Sequence, residues 1–500
     1  MPYDVIVVGA GSAGCVAAAE LHRRGVGRIL VLEAGASDLH PLVSIPMGLN
    51  WLMGSSRDWN LKTMPMAEAG GRRLTAPRGK MVGGSGSINS MVWFRGRGAD
   101  FDGWGVDGWR YSDVEPVFEA VEEKLTPTRL ANTHPLTQGL AAMLPANSGT
   151  PTPDVESAGV FSHNMKDGRR NSAARAFLRL YEIPTVTGAP VDRLTWRAGR
   201  VAGVKLVDGT KIDASKGVVL AAGSLMSPAI LMRSGVGDPE ELARHGIALR
   251  AENAEVGQNL HDHPGFGLHF EGPGTGYGLE PAQWGNWARA PLDLMRNKGP
   301  LASPTVEGGA FFNARGAGPE PDVQTHFIPF HLDHRGKKYA MKSGYFADVC
   351  LCRPKSRGSL RLGSTDPSEP PLFDLGLFRD DSDLDTLTAG VERLRDLLGK
   401  AEFGGRRGKE VGPSTGKTGD ALKEVIRHGA GTAYHPVGTC RMGEDASSVV
   451  TPRLAVRGIE GAWVADASIM PHVTSANTNA PSMMIGWKGA EMIAQDVGAS

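Results

Sequence analysis

Three glycines and one acid in this sequence have the spacing of a dinucleotide cradle: Gly9, Gly11 and Gly14, then Glu33. Gly9 permits a tight turn, Gly11 lets backbone approach a pyrophosphate, and Gly14 lets a helix pack close to its strand. Glu33 is placed to accept hydrogen bonds from ribose hydroxyls. A second glycine-rich run, Gly79 to Ser90, offers backbone amides and the side-chain amide of Asn89 to a polar ligand, although turns use the same residues. The histidines do not make a metal motif. His261 and His263 lack a third ligand at a supporting spacing and read as a hydrogen-bonding pair in a turn. His326, His331 and His334 form no tight chelating pattern, because strand alternation sends neighbours to opposite faces. Cys15, Cys350, Cys352 and Cys440 are too few and too irregularly spaced for a disulfide framework or a zinc site, so buried free thiols and no metal are expected.

The elements that must position these groups follow from hydrophobic periodicity. Tyr3–Val8 is a nearly all-apolar run that enters the first glycine turn, an Ala-rich helical segment continues to Arg24, and Arg28–Leu32 ends on Glu33. That is a strand-helix-strand unit. Residues 35–75, with Pro41, Pro46, Trp51 and Trp59, form a long irregular excursion that either covers a cofactor or packs as plain surface. Short β-branched runs near residues 185–191, 201–207 and 217–223 extend the same domain. From about residue 265 the texture changes. Asp322–Ile328, Gly344–Leu351 and Gly358–Leu362 alternate like half-buried antiparallel strands, and a helical pattern over 381–398 packs against them. The expected class is mixed α/β. A Rossmann-like domain occupies 1–264, a second domain on an antiparallel sheet 265–424, and the chain returns to the first over 425–500.

A chain of 500 residues is too long for one ordinary domain. Its formal net charge is zero, and no basic and aromatic residues interleave, so nucleic acid is not the expected partner. No apolar run approaches the roughly 18 residues of a membrane span, and the opening strand leaves no room for a signal peptide. A cytoplasmic protein with a small-molecule partner is expected, its oligomeric state left open.

Gly79 to Asn89, continuing through Trp93 and Gly96 to Asp102, resembles the first signature of the glucose-methanol-choline oxidoreductases, and Gly223 to Gly237 resembles the second. The resemblance implies FAD rather than NAD. As flavin contacts it implies Gly9, Gly11, Ser12, Gly14 and Glu33 from the opening motif, and Gly83, Gly84, Ser85, Asn89 and Ser90 from the second run. Val191, Ala222, Asp466, Ala467, Asn477 and Thr478 complete the set, with a core role for Val191 as the alternative. In some choline oxidases the residue before the asparagine matching Asn89 is a histidine bonded to the flavin; Ile88 has no nucleophile, so the FAD should be noncovalent by that linkage. Tyr434 to Gly443 resembles the active-site histidine segment, with His435 as the matching base. Asn477 matches the second catalytic position, and Asn479 is its alternative. A helix over 482–495, opened by Pro481, would point its positive end at the flavin.

The implied reaction is oxidation of a primary alcohol to an aldehyde. His435 takes the hydroxyl proton, hydride leaves for the flavin, and oxygen or another acceptor reoxidises it. Glu307 aligns loosely with an acid that holds the trimethylammonium group in choline oxidases, which keeps a choline-like substrate open. The same fold also hosts hydroxynitrile lyases, so non-redox flavin chemistry is a further alternative.

Overall fold

The opening residues build the unit that their spacing predicts. Tyr3–Val8 (β1) is buried from Val5 onward, Ser12–Arg23 forms α1, and Ile29–Leu32 (β2) lies parallel to β1 with Ile29 beside Val5. The computed structural model describes residues 3–144, 150–316, 318, 320–333 and 340–498. Gly9 has a φ of +99°, and a Cβ there would lie 2.6 Å from the Ala221 carbonyl oxygen. A Cβ on Gly14 would lie 2.0 Å from Gly9 O, so glycine alone lets α1 start this close to its strand.

The excursion over 35–75 contains four short helical turns, Pro41–Ser44, Pro46–Gly48, Leu49–Leu52 and Ala67–Ala69, and no long element. Further on, Ser157–Val160 (β3) leaves the first domain. It pairs with a strand some 150 residues later, Val160 facing Gly308, and so belongs to the second sheet. The sequence boundary near residue 265 therefore misses an earlier crossing. Thr185–Val186 (β4), Val191–Arg197 (β5), Arg200–Leu206 (β6) and Lys211–Leu220 (β7) return to the first sheet. Its order is β4-β2-β1-β7-β6-β5, with Ala462–Val464 beside β7. The pairs among β4, β2, β1 and β7 are parallel, and β7-β6-β5 is an antiparallel meander.

The second sheet is antiparallel throughout. Pro264–Glu271 (β8), Gly308–Phe312 (β9), Val323–Ile328 (β10) and Gly344–Leu351 (β11) run in the order β8-β11-β10-β9-β3, with Lys409–Val411 outside β8. Alternation gives it two faces. One is covered by Asp381–Lys400 (α2), whose Leu384, Leu387, Val391, Leu394 and Leu398 recur at helical spacing and are buried. A Cβ on Gly390 would come within 2.9 Å of Val349, so α2 lies close on that face. The other face carries His326, Ile328, Phe346 and Asp348 toward a cavity between the two sheets.

The last helix, Asn479–Asp496 (α3), begins three residues earlier than its sequence pattern suggests. It crosses α1 where a Cβ on Gly486 would lie 2.3 Å from Ala13 O. Helices from opposite ends of the described chain thus meet with their N-termini at the same cavity wall. Among the described residues, no helix is long and apolar enough to cross a membrane.

Candidate active site

One cavity of about 650 Å³ runs from the first glycine turn to the second sheet. At one end it is lined by Gly9, Gly11, Ser12, Glu33 and Val191; Gly84, Ser85, Asn89 and Ser90 form a second wall, and Ala222, Asp466, Ala467 and Thr478 a third. Leu49, Met53, Trp59 and Leu61 of the excursion close over it, which favours the covering role over plain surface. Gly14 and Gly83, expected as contacts, do not line it. Gly14 seats the helix, and Gly83 N–H donates to Ala10 O at 2.6 Å, tying the two glycine runs together.

The polar groups of this wall are already partly organised. Glu33 accepts from Ala10 N at 2.9 Å and Gly35 N at 2.8 Å, so it braces the turn as well as facing the cavity. Burial pushes its carboxyl up to about 7, against the opposing pull of those two amides. Asp466 accepts from Gly223 N, Ser227 Oγ and Ser468 N at 2.6 to 2.8 Å. Asn89 Oδ1 accepts from Met91 N and from the buried Arg170, at 2.9 and 2.7 Å, which leaves its NH2 for the cavity. Nothing in the sequence had marked Arg170. Asn479 Oδ1 accepts from Ser12 Oγ at 2.6 Å. It therefore joins the N-termini of α1 and α3, and of the two asparagines it is Asn477 that is bonded to His435.

At the other end His435 and Asn477 do come together, with Asn477 Nδ2 at 3.3 Å from His435 Nε2. Tyr434, with a φ of +65°, turns the backbone just before the histidine, and Asp262 accepts from His435 N at 2.8 Å. Sequence reading missed the next layer. His263 Nδ1 lies 3.1 Å from His435 Nδ1, and His263 Nε2 lies 3.0 Å from Thr474 O. A carbonyl can only accept, so His263 carries its proton on Nε2 and offers a lone pair at Nδ1. His435 then donates from Nδ1 and keeps a lone pair at Nε2, facing Asn477. Burial, followed by His263, His326 and Arg78, holds the His435 imidazole well below the usual histidine range, so it is neutral near pH 7.

Other histidine expectations change. His261 and His263 do not bond each other: His261 donates from Nδ1 to Asn259 O at 2.6 Å and accepts from Val473 N at 3.0 Å, a satisfied core histidine. His331 pairs with Glu271 at 3.0 Å, and His334 lies outside the described residues. His326 lines the cavity, and with Asp348 and Cys350 it is the one group of three among the described residues whose ligand-type atoms lie within 4.8 Å. Glu307 turns away. Its Oε2 accepts from His134 N and Thr137 Oγ1, both at 2.8 Å, at the start of the helix Pro135–Gly139, and it does not line the cavity. Glu307 is thus tied through one oxygen to the start of that helix, while its chain neighbours Thr305 and Val306 do line the cavity.

Family models described as GMC oxidoreductase match residues 3–265 and 354–486. The chain belongs to the GMC oxidoreductase family. Over 99% of its length this GMC oxidoreductase is 35% identical to an alcohol dehydrogenase [acceptor] of Pseudomonas putida, covering 96% of that protein. It is 36% identical to an oxygen-dependent choline dehydrogenase of Rhizobium johnstonii over 99% of this chain and 96% of the relative. Among solved structures, pyridoxine 4-oxidase from Mesorbium loti superposes with a TM-score of 0.85 at 26% identity, covering 98% of each chain. A formate oxidase superposes at 0.86 and 23% identity, over 99% of this chain and 98% of the other, a likeness of fold alone.

It is an FAD-dependent alcohol oxidoreductase, and the cavity's own features fit that cofactor. Gly11 meets nothing that a Cβ would crowd, so a phosphate can come against the backbone at the α1 N-terminus. Ser224 Oγ and Asn479 Nδ2 are buried on residues that line the cavity and have no partner within the protein. Both await a polar ligand.

Proposed function

We propose that this protein oxidises a primary alcohol to an aldehyde at the His435 end of the cavity, with noncovalently held FAD. The observation that carries the reading is the lone pair at His435 Nε2, fixed through His263 by Thr474 O and facing Asn477 on the cavity wall. Gly11, Ser12, Glu33, Asn89, Ser224 and Asn479 are the residues that would hold the cofactor, which when bound accepts hydride from the carbinol carbon. His435 takes the hydroxyl proton as a neutral base. Asn477 donates to the alcohol oxygen and orients it, since an amide can hydrogen-bond but cannot act as a base. Val92, Val306, Ile328 and Phe346 make the wall around this end apolar, which suits an uncharged aliphatic or aromatic alcohol and excludes water from the reacting pair.

Anaerobic mixing with a panel of alcohols tests this directly. Bleaching of the flavin by primary alcohols supports it, and admission of air then tells an oxidase from a dehydrogenase. Release of cyanide from a cyanohydrin, with the flavin still oxidised and no alcohol bleaching it, would decide for a lyase instead.

A further inference from the structure

Beside His435 lies a second imidazole with a different backing. In the register that pairs Gln324 with Cys350 and Phe327 with Ala347, His326 of β10 falls opposite Asp348 of β11. The pair is bonded twice: His326 N donates to Asp348 Oδ1 at 2.7 Å, and His326 Nδ1 lies 3.1 and 3.2 Å from the two carboxylate oxygens. Because the carboxylate accepts, Nδ1 carries the proton and Nε2 presents a lone pair. That Nε2 lies 3.3 Å from Asn477 Nδ2, the atom that is also 3.3 Å from His435 Nε2, while Gln324 Nε2 holds Asn477 Oδ1 at 3.0 Å. Two acceptors, Thr474 O and Asp348, thus force one proton arrangement from opposite sides. Both imidazoles aim a lone pair at a single amide on the cavity wall.

Their capacity for charge differs. His435 is backed by a neutral histidine and faces Arg78, whereas His326 is backed by a carboxylate, as in hydrolase triads where the acid stabilises the imidazolium. The titratable groups around His326 are few. Asp348 and Cys350 face it from β11, His435 lies on the other side of Asn477 with His263 bonded behind it, and the packed residues Gly309 and Phe161 bring none. Cys350 stays a thiol, since burial and then Asp348 push it well up, so the carboxylate dominates. Against the cost of burial, Asp348 raises the His326 imidazole above its ordinary value.

We propose that His326 and Asp348 form a second acid–base pair that stores the proton His435 removes. The inference rests on the alcohol-oxidising reading above. In the step, the alcohol O–H bond breaks and an N–H bond forms at His435 Nε2, while hydride leaves the carbinol carbon for the flavin. The N–H bond at His435 then breaks, an N–H bond forms at His326 Nε2, and the Asp348 carboxylate balances the charge. The proton stays in the protein until the cofactor is reoxidised.

Proton stoichiometry reads this out. Anaerobic oxidation of an alcohol in weakly buffered solution with an indicator dye should release less proton from the native holoenzyme than from Asp348→Asn, in which the stored proton escapes to solvent. The acid limb of kcat/KM should also move to lower pH in Asp348→Asn by about 1 to 3 units, the usual effect of removing an opposite charge at this range. Titration of the His326 ring by NMR in the resting holoenzyme should move in the same direction. Asparagine keeps the Oδ1 acceptor for His326 N–H, and flavin content with thermal unfolding controls for the fold; His326→Gln serves as the second variant. An enzyme that alcohols still bleach, with proton release and acid limb unchanged in both variants, overturns the proton store alone. If no alcohol bleaches the native flavin, the underlying reading falls instead.

Discussion

Replacing His435 by alanine should slow flavin reduction by about 10² to 10⁴, the usual contribution of a positioned base, with FAD still bound. Stopped-flow reduction at neutral pH checks it, and an unchanged rate would send the search to another base. His263 matters for a different reason. It never meets the substrate, yet it supplies the acceptor for His435 Nδ1–H. His263→Leu leaves that buried donor unpaired, at a cost of about 1 to 3 kcal/mol, and frees the ring to take the wrong tautomer. Reduction should slow while flavin content holds, and His263→Gln, which keeps an acceptor, should recover part of the rate. Ile88 gives a simpler expectation. It lines the cavity without a nucleophile, so denaturation should release intact FAD into the supernatant. Flavin left on the precipitated chain would contradict it.

Glu33 shows how a whole element depends on one carboxyl. It joins β2 to the first turn through Ala10 N and Gly35 N, and burial moves its folded value from 4.5 up to about 7. Between these pH values the folded protein binds more proton than the unfolded chain, so the FAD-free protein should lose stability as pH rises from 4.5 to about 7 and hold level above. Ribose hydroxyls donating to Glu33 favour the charged form. FAD should therefore bind more tightly as pH rises through that window, as flavin retained on dialysis at its two ends will show. Glu33→Gln should flatten both dependences and lower FAD occupancy, because its NH2 sets one donor against another at about 1 to 3 kcal/mol. The opening β-α-β unit was legible because its signals are local: periodicity, glycine spacing and a terminal acid all fall within one short stretch. In the second sheet β10 and β11 were legible for the same reason, through alternation, whereas β8 and β9 were not marked. β3 was not, since Ser157–Val160 is short and finds its partner only across the fold. The pairing of His263 with His435 and of His326 with Asp348 depends on register and on chain crossings that no local pattern encodes. For Glu307 the sequence shows an acid's position but not the direction of its side chain.

At the scale of the molecule, the first and last helices of the described chain hold the site together. α1 and α3 cross where Gly486 lies against Ala13, and both present their N-termini to the cavity. Gly486→Val would thrust a side chain into Ala13 O and drive the helices apart, at about 1 to 3 kcal/mol for overpacking. Thermal unfolding should fall and flavin content should drop with it. A variant as yellow and as stable as the native protein would show that the crossing has slack. Ser12 and Asn479, bonded across this crossing, also put the cavity on a clock. Translation at about 5 to 20 residues per second takes roughly 25 to 100 s to traverse 500 residues. For nearly all of that time the first glycine turn stands folded or folding with its ceiling unbuilt, because Asn477, Thr478 and Asn479 have yet to be made. Capture of flavin thus waits on the synthesis of α3, and a nascent chain stalled before it should leave the ribosome colourless.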